Sequence, residues 1–346
     1  MRAAVYRSNN DVRIEDMPVP AIGPSEVLVK VESSGICGSD VMEWYRAAKA
    51  PLVLGHEIAG EIAEAGPDAD CWKAGERVVV SHHVPCNTCR YCLAGNHTVC
   101  HTLRTTNFDP GGFAQYVRVP AINVDRGMLP LPDELTFDEG TFAEPLGCVV
   151  RSQRIAGVEP GKSVLVLGSG IGGLLQIRLA AASGASKIFS TDISDYRLEA
   201  ARRSGADLVM RAGDDVPGRV REANRGFLAD VAVVCAGVEE AVYQAYESVD
   251  DGGTILLFAP APPGPGLRLP LQELWRRQVT IASSYAADRQ DLAIALELVR
   301  SGRVRVSDLI THRLPLDEAQ EGFRLVSEAS ESLKVVLKPF AASASV

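Results

Sequence analysis

The sequence predicts an α/β protein in which a doubly wound parallel sheet is joined to a second, β-rich domain. Two observations predict it. A strand, a glycine turn and a helix follow one another from Ser163, and apolar strands alternate with helical segments from there to Ser283. Ahead of that stretch, residues 1–31 carry only short β-type runs with no long helical period.

In chain order, Ala3–Tyr6, Val12–Glu15 and Val27–Val31 are alternating or β-branched runs, separated by Asn9-Asn10-Asp11 and Ile22-Gly23-Pro24 as turns. A compact, barrel-like β domain is expected from them. After Gly111-Gly112 a strand is expected over Phe113–Val119, then a helix start within Asp133–Phe142. Ala143-Glu144-Pro145-Leu146-Gly147 leads into a helix through Ile155. Strands are expected at Ser163–Leu167, Lys187–Thr191, Leu208–Met210, Val231–Cys235, Thr254–Phe258 and Val279–Ser283. Helices fall between them, as at Arg197–Ser204 and Glu239–Ser248. Arg289–Arg300 and Asp317–Val326 have amphipathic helical spacing, Lys334–Lys338 is a closing strand, and Ala341–Val346 is a frayed tail.

The glycine turn carries the first chemical signal. Gly168, Gly170 and Gly173, within Gly168-Ser169-Gly170-Ile171-Gly172-Gly173, have G-x-G-x-x-G spacing between a strand and a helix. The first glycine allows the sharp turn, the second lets a pyrophosphate approach the backbone, and the third lets helix and strand pack closely. The helix N-terminus then offers unpaired N–H groups to phosphate. Asp192 ends the next strand, 19 positions after Gly173. An acid there accepts both ribose hydroxyls of NAD and repels the 2′-phosphate of NADP. A dinucleotide site is therefore expected. A tight turn in a nucleotide-free α/β domain is the plainer alternative.

Length and charge bound the remaining choices. A chain of 346 residues suggests about two domains. Net charge is −9 and the pI about 5.3, with no long basic block, which argues against nucleic acid or an anionic membrane as partner. The N-terminal residues lack a signal-peptide core and no apolar run reaches membrane-spanning length. A cytoplasmic protein is expected, in which eight cysteines point to metal sites or free thiols rather than disulfides.

Cys86, Cys89, Cys92 and Cys100 follow C-x2-C-x2-C-x7-C. Four thiolates at this spacing make a closed, structural zinc site that pins a loop without a core of its own. An iron–sulfur cluster fits less well, since no proline follows the last cysteine and no second set exists. His97 and His101 flank a site already filled and are expected to be exposed loop histidines. Cys71, Cys148 and Cys235 are expected to be small core residues. Upstream, Cys37, His56 and Glu57 offer a thiolate, an imidazole and a carboxylate, a plausible zinc set with one position left open. Glu144, before Pro145 in an apolar setting, reads either as an acid held by a metal or as a helix cap.

Taken together, these motifs resemble the zinc-dependent medium-chain dehydrogenases, most closely the sorbitol dehydrogenase and threonine 3-dehydrogenase branch. The resemblance is carried by Gly35–Asp40 (GICGSD), Gly55–Gly66 (GHEIAGEIAEAG), Gly75–Val78 (GERV), the four-cysteine lobe, Ala143–Leu146 (AEPL) and Gly168–Gly173. It implies a GroES-like catalytic domain over residues 1–147 and 285–346, with a Rossmann NAD-binding domain over 148–284 inserted. It implies that Cys37, His56 and Glu57 bind a catalytic zinc, and that Glu144 is its fourth ligand or holds its water. Ser39 would start a proton relay, but Met42 stands where many relatives carry the next histidine. His83 matches a histidine near the substrate of threonine dehydrogenases. It reads as a proton exit titrating near about 6.5, a substrate contact, or an ordinary loop histidine.

Gly168, Gly170, Ile171, Gly172, Gly173, Asp192 and Arg197 would bind NAD, with NADP less favoured. The implied complement is two zinc ions per chain, one catalytic and one structural. The implied reaction oxidises a polar secondary alcohol (a polyol, sugar, cyclitol or hydroxy amino acid) to a ketone, in a homodimer or homotetramer. Trp44, Tyr45 and Arg46 are expected near the substrate, with Arg46 facing either a substrate anion or solvent. Two alternatives stand beside this reading: a zinc-independent quinone or enoyl reductase of the same fold, and an NAD-binding relative with a structural or redox-sensing role.

Overall fold

A long central strand, Val27–Gly35, organises the first part of the chain. Its alternating Val27, Val29 and Val31 pack with Ile58, Ile62, Val78, Val80, Val117 and Val119 in one buried cluster. The computed structural model describes residues 1–264 and 266–342. Among them the chain divides into two units, Met1–Gly147 with Ala286–Val346, and Cys148–Tyr285. Residues 343–346 of the expected tail lie outside the described residues.

In the first unit a mixed sheet runs in the order Ile310–Pro315, Lys334–Lys338, Val27–Gly35, Glu57–Ala65, Arg77–Val80, Met128–Pro130, with Tyr116–Val119 also paired to Val27–Gly35. A smaller antiparallel sheet joins Asp11–Asp16, Arg2–Ser8 and Leu52–Val53. In the larger sheet, Lys334–Lys338 lies antiparallel to the end of the central strand, with Val336 opposite Gly35. The last strand of the chain is thereby set beside the segment that leads into Cys37.

The second unit is a parallel sheet whose strands, numbered in chain order, lie 3-2-1-4-5-6 among the described residues. Its first strand, Ser163–Leu167, is buried along its whole length and pairs with Lys187–Asp192 on one side and Ala229–Val234 on the other. Continuous apolar runs are what a parallel sheet covered on both faces requires. This is the doubly wound arrangement the sequence predicts.

The departures have local causes. The strand expected over Phe113–Val119 starts only at Tyr116, because Phe113 is wholly buried and its N–H donates to Leu54 O. The helix start expected within Asp133–Phe142 narrows to Phe137–Gly140, where Thr136 and Glu139 form a reciprocal cap. Glu57–Ala65 carries no strand signature, since its first four residues are all buried and do not alternate. Cys71 is exposed, within a turn-rich stretch, and is not the core residue expected. No helix of the described residues is long and apolar enough to cross a membrane.

Candidate active site and metal centres

Cys37 leaves the central strand and caps a short 3-10 turn, Gly38–Val41. Its sulfur accepts from the Ser39 N–H at 3.4 Å, and its own N–H donates to Asp40 Oδ2 at 3.0 Å. His56 and Glu57 come from the start of the neighbouring strand. One ligand atom from each of Cys37, His56 and Glu57 lies within 4.8 Å of the others. Glu144 lies in the first turn of the helix Ala143–Ala156.

The surroundings of these three groups were not legible in the sequence. Asp40 is completely buried and its Oδ1 meets His56 Nδ1 at 3.3 Å. That contact orients the ring and leaves the other nitrogen as ligand, as a carboxylate behind a metal-bound histidine does. Burial alone would raise the Asp40 pKa, but His56, Arg46 and the Cys37 N–H outweigh it and hold it below the ordinary carboxylate range. Burial opposes charge on His56, yet Asp40 and the Cys37 sulfur raise its pKa well above the usual histidine value. A metal there has to displace a proton. Lys334, from the closing strand, is wholly buried and bonds Glu57 Oε2. Glu57 Oε1 is buried with no protein partner. An orphaned carboxylate oxygen beside a thiolate and an imidazole fits a zinc ion.

The Ser39 side chain is held by an arginine. Arg46 Nη2 donates to its Oγ at 3.1 Å, and Arg46 Nε to its carbonyl at 2.9 Å. Of the other residues expected near the substrate, Trp44 and Tyr45 are exposed on the short helix Glu43–Arg46. His83 stacks on His82 with ring centroids 3.8 Å apart, and His82 lies 4.8 Å from His56. The expected titration near 6.5 is corrected: burial first, then the charges of His56, Arg46 and Lys49, lower the His83 pKa to about 4. His83 is therefore neutral at pH 7.

Cys86, Cys89, Cys92 and Cys100 converge as the spacing predicts. Their sulfurs lie within 4.8 Å of one another, with Cys89–Cys92 at 3.5 Å, Cys86–Cys100 at 3.6 Å and Cys86–Cys92 at 3.9 Å. These separations are far from a disulfide bond of about 2.05 Å. They approach the spacing of about 3.8 Å that four sulfurs 2.3 Å from one zinc would have. The Thr88 N–H and hydroxyl, with the Cys89 N–H, pull the Cys86 thiol down to about 5. His97 is not the plain loop histidine expected. Its Nδ1 meets Asp288 Oδ2 at 3.0 Å, and Ala286 packs on the cluster of Cys92, Cys100 and Leu103. The lobe is thus tied to the N-terminus of the helix Arg289–Arg300.

In the second unit Gly168 turns out of the strand at φ +99°, a region that side chains disfavour. A Cβ on Gly173 would overlap Gly168 O. A Cβ on Gly170 would meet nothing nearer than the Arg197 guanidinium at 3.9 Å, leaving the cradle that a pyrophosphate needs. Asp192 Oδ2 accepts from the Ser169 N–H at 2.7 Å and Oδ1 from the Ser194 N–H at 2.9 Å. The acid expected to meet the ribose therefore also braces the glycine turn.

Comparison with known proteins gives one answer. The alcohol dehydrogenase GroES-like domain family matches residues 23–133, and the zinc-binding dehydrogenase family matches residues 170–301. Sorbitol dehydrogenase of Gallus gallus is 32% identical over 97% of this chain and 96% of its own. A probable D-xylulose reductase A of Aspergillus terreus is 33% identical over 96% of each. Among solved structures, a candidate zinc-binding dehydrogenase from Sinorhizobium meliloti 1021 bound to NADP superposes with a TM-score of 0.87. It is 29% identical, over 98% of this chain and 99% of that one. The β-rich first unit with its converging thiolates, the 3-2-1-4-5-6 sheet and these end-to-end matches agree: the chain belongs to the zinc-dependent medium-chain dehydrogenase/reductase family, in its sorbitol dehydrogenase-like branch.

Proposed function

We propose that the protein is an NAD-dependent dehydrogenase that oxidises a polar secondary alcohol, such as a polyol, sugar or cyclitol, to a ketone. The observation that carries this is the convergence of Cys37, His56 and Glu57, with Glu57 Oε1 buried and unpartnered. The polyol-related names of its relatives support the substrate class. Zinc held there would act as a Lewis acid on the substrate oxygen, and NAD would take up the hydride.

The chain's own residues then divide the work. Asp40 orients His56, and Lys334 holds Glu57 by one oxygen while the other stays free. Ser39 receives the proton released by the alcohol. Glu144, in the first turn of the helix Ala143–Ala156, would serve the metal as a fourth ligand or by holding its water. His83, neutral at pH 7, serves as a hydrogen-bonding contact to substrate hydroxyls rather than as a titrating exit. The four cysteines hold a second, structural zinc. Gly168, Gly170, Ile171, Gly172 and Gly173 cradle the pyrophosphate, while Asp192 favours NAD. Arg197, whose guanidinium lies 3.9 Å from where a Gly170 Cβ would stand, would contact the cofactor. The catalytic domain comprises residues 1–147 with 285–346, and residues 148–284 bind the cofactor. We also infer a reducing, cytoplasmic setting and a homo-oligomer, supported by eight unbridged cysteines and an uncovered sheet edge.

The test combines metal analysis with a substrate screen. Two zinc ions per chain, and NADH formation with at least one alcohol from a panel of polyols, sugars, cyclitols and hydroxy amino acids, are expected. One zinc per chain with no turnover of any alcohol would favour the non-catalytic relative.

A further inference from the structure

Arg46 is bound into the site in a way its place on a short surface helix does not require. Its guanidinium forks onto one residue, donating to the carbonyl and to the hydroxyl of Ser39. Nη2 also approaches Asp40 Oδ1 at 3.4 Å, the same oxygen that meets His56. The Tyr45 ring backs it, with Cζ 4.8 Å from the centroid. The side chain is only 14% exposed, so it is not a solvated surface arginine. Met42, four residues earlier, offers no atom that can carry a proton.

A guanidinium has five N–H donors, no acceptor, and stays protonated. A hydroxyl that accepts from it cannot pass a proton to it. Ser39 Oγ has two lone pairs and one O–H. Arg46 fills one lone pair. What remains is a single lone pair to accept a proton and a single O–H to give one away.

We propose that Arg46 is a positioning residue for Ser39: it fixes the rotamer of the hydroxyl and confines the alcohol proton to one path in and one path out. This rests on the dehydrogenase reading for the source of the proton. The alcohol loses a hydride from carbon, taken up by NAD, and a proton from oxygen. That proton arrives on the open lone pair of Ser39 as the hydroxyl's own proton leaves to water, so Ser39 ends each turnover unchanged. The alcohol is oxidised, NAD is reduced, and one proton is released.

The test has a structural and a kinetic arm. Crystal structures of the zinc-loaded wild type and Arg46→Met should show one Ser39 rotamer bonded to Arg46 in the first, and a rotated or divided Ser39 in the second. Arg46→Met should lower kcat by about 10–100-fold. KM for the alcohol, NADH affinity by fluorescence and zinc content should not move. Added guanidinium should restore part of kcat in Arg46→Met and none in wild type. Arg46→Met should cost nothing further in the Ser39→Ala background, because Arg46 acts through Ser39. Arg46→Gln, which keeps a polar side chain but loses the fork, serves if Arg46→Met does not fold.

A single unmoved Ser39 rotamer in the variant overturns the proposal. So does an unchanged kcat with a raised KM confined to anionic alcohols, which would make Arg46 a substrate-anion contact. A wild type that oxidises no alcohol sinks the dehydrogenase reading alone, and the rotamer comparison still decides the role of Arg46.

Discussion

Lys334 and Glu57 form an ion pair with side chains 0% and 1% exposed. Removing one partner of such a pair leaves a buried charge and typically costs about 3–5 kcal/mol. Lys334→Met should therefore destabilise the zinc-stripped protein by about that amount in urea denaturation. In the zinc-loaded protein the metal gives Glu57 a second cation, so the loss should be smaller. Equal losses in the two states would show that Glu57 does not serve the metal. Asp192 calls for a different comparison. Its carboxylate has about four lone-pair sites, and two are used by the Ser169 and Ser194 N–H groups. Asp192→Ala should narrow the ratio of kcat/KM for NAD over NADP, and lower stability by about 1–3 kcal/mol through the abandoned Ser169 N–H. Asp192→Asn should narrow the ratio with a smaller stability loss. A wild type that prefers NADP refutes the assignment. The two residues also mark what a sequence can reveal. Asp192 was legible because its distance from the glycine turn is set by one strand–turn–helix unit. Lys334 was not, because 277 positions separate it from Glu57 and only the strand pairing opposite Gly35 joins them.

Between elements, buried charge does the fastening. Asp138, on the short helix Phe137–Gly140, accepts from Ser33 at 2.6 Å, Arg313 at 2.6 Å and Lys338 at 2.7 Å. Those partners lie on three adjacent strands of one sheet. Burial would raise the Asp138 pKa, but Lys338, Ser33 and Arg313 outweigh it and lower it. A carboxylate with a depressed folded-state pKa stabilises the fold above its unfolded value of about 3.9, and less as pH falls through the folded value. The stability gap between wild type and Asp138→Asn should thus be full at neutral pH and shrink in acid below about pH 4. A gap that stays constant down to acid unfolding would contradict the charge-based account. The four-cysteine lobe is held differently, by its sulfurs, by Leu103 and by the His97–Asp288 contact. Cys92→Ser should raise hydrogen exchange across residues 86–104 and lower zinc to one per chain. A fully protected lobe in that variant would remove the structural assignment. The lobe was legible because thiolate spacing is itself the signal. Its anchor was not, since nothing near Asp288 in the sequence points to a histidine 191 positions away.

For the whole molecule, the alternation of strands and helices gave away the parallel sheet, yet not how its edges are finished. Thr280–Ser283 is the outermost strand and pairs only with Val249–Leu257 among the described residues. An edge strand offers a row of N–H and C=O groups, and proteins usually blunt it with lysine, proline or a bulge. This one reads Thr-Ile-Ala-Ser, with Ile281 43% exposed. In the preceding helix, Leu271–Arg277, both Leu271 and Trp275 are 77% exposed. Self-association through this strand is predicted from its unpaired edge and from these exposed apolar side chains. A second copy of the same strand would supply the missing hydrogen bonds under two-fold symmetry. Light scattering should accordingly find the wild type as a dimer or tetramer at micromolar concentration. Ile281→Lys combined with Trp275→Glu places charge on that surface without touching either metal site or the glycine turn. The double variant should shift toward monomer while keeping its zinc content and far-ultraviolet circular dichroism. A wild type that is already monomeric would refute self-association, and an unchanged oligomer in the double variant would move the interface elsewhere on the protein.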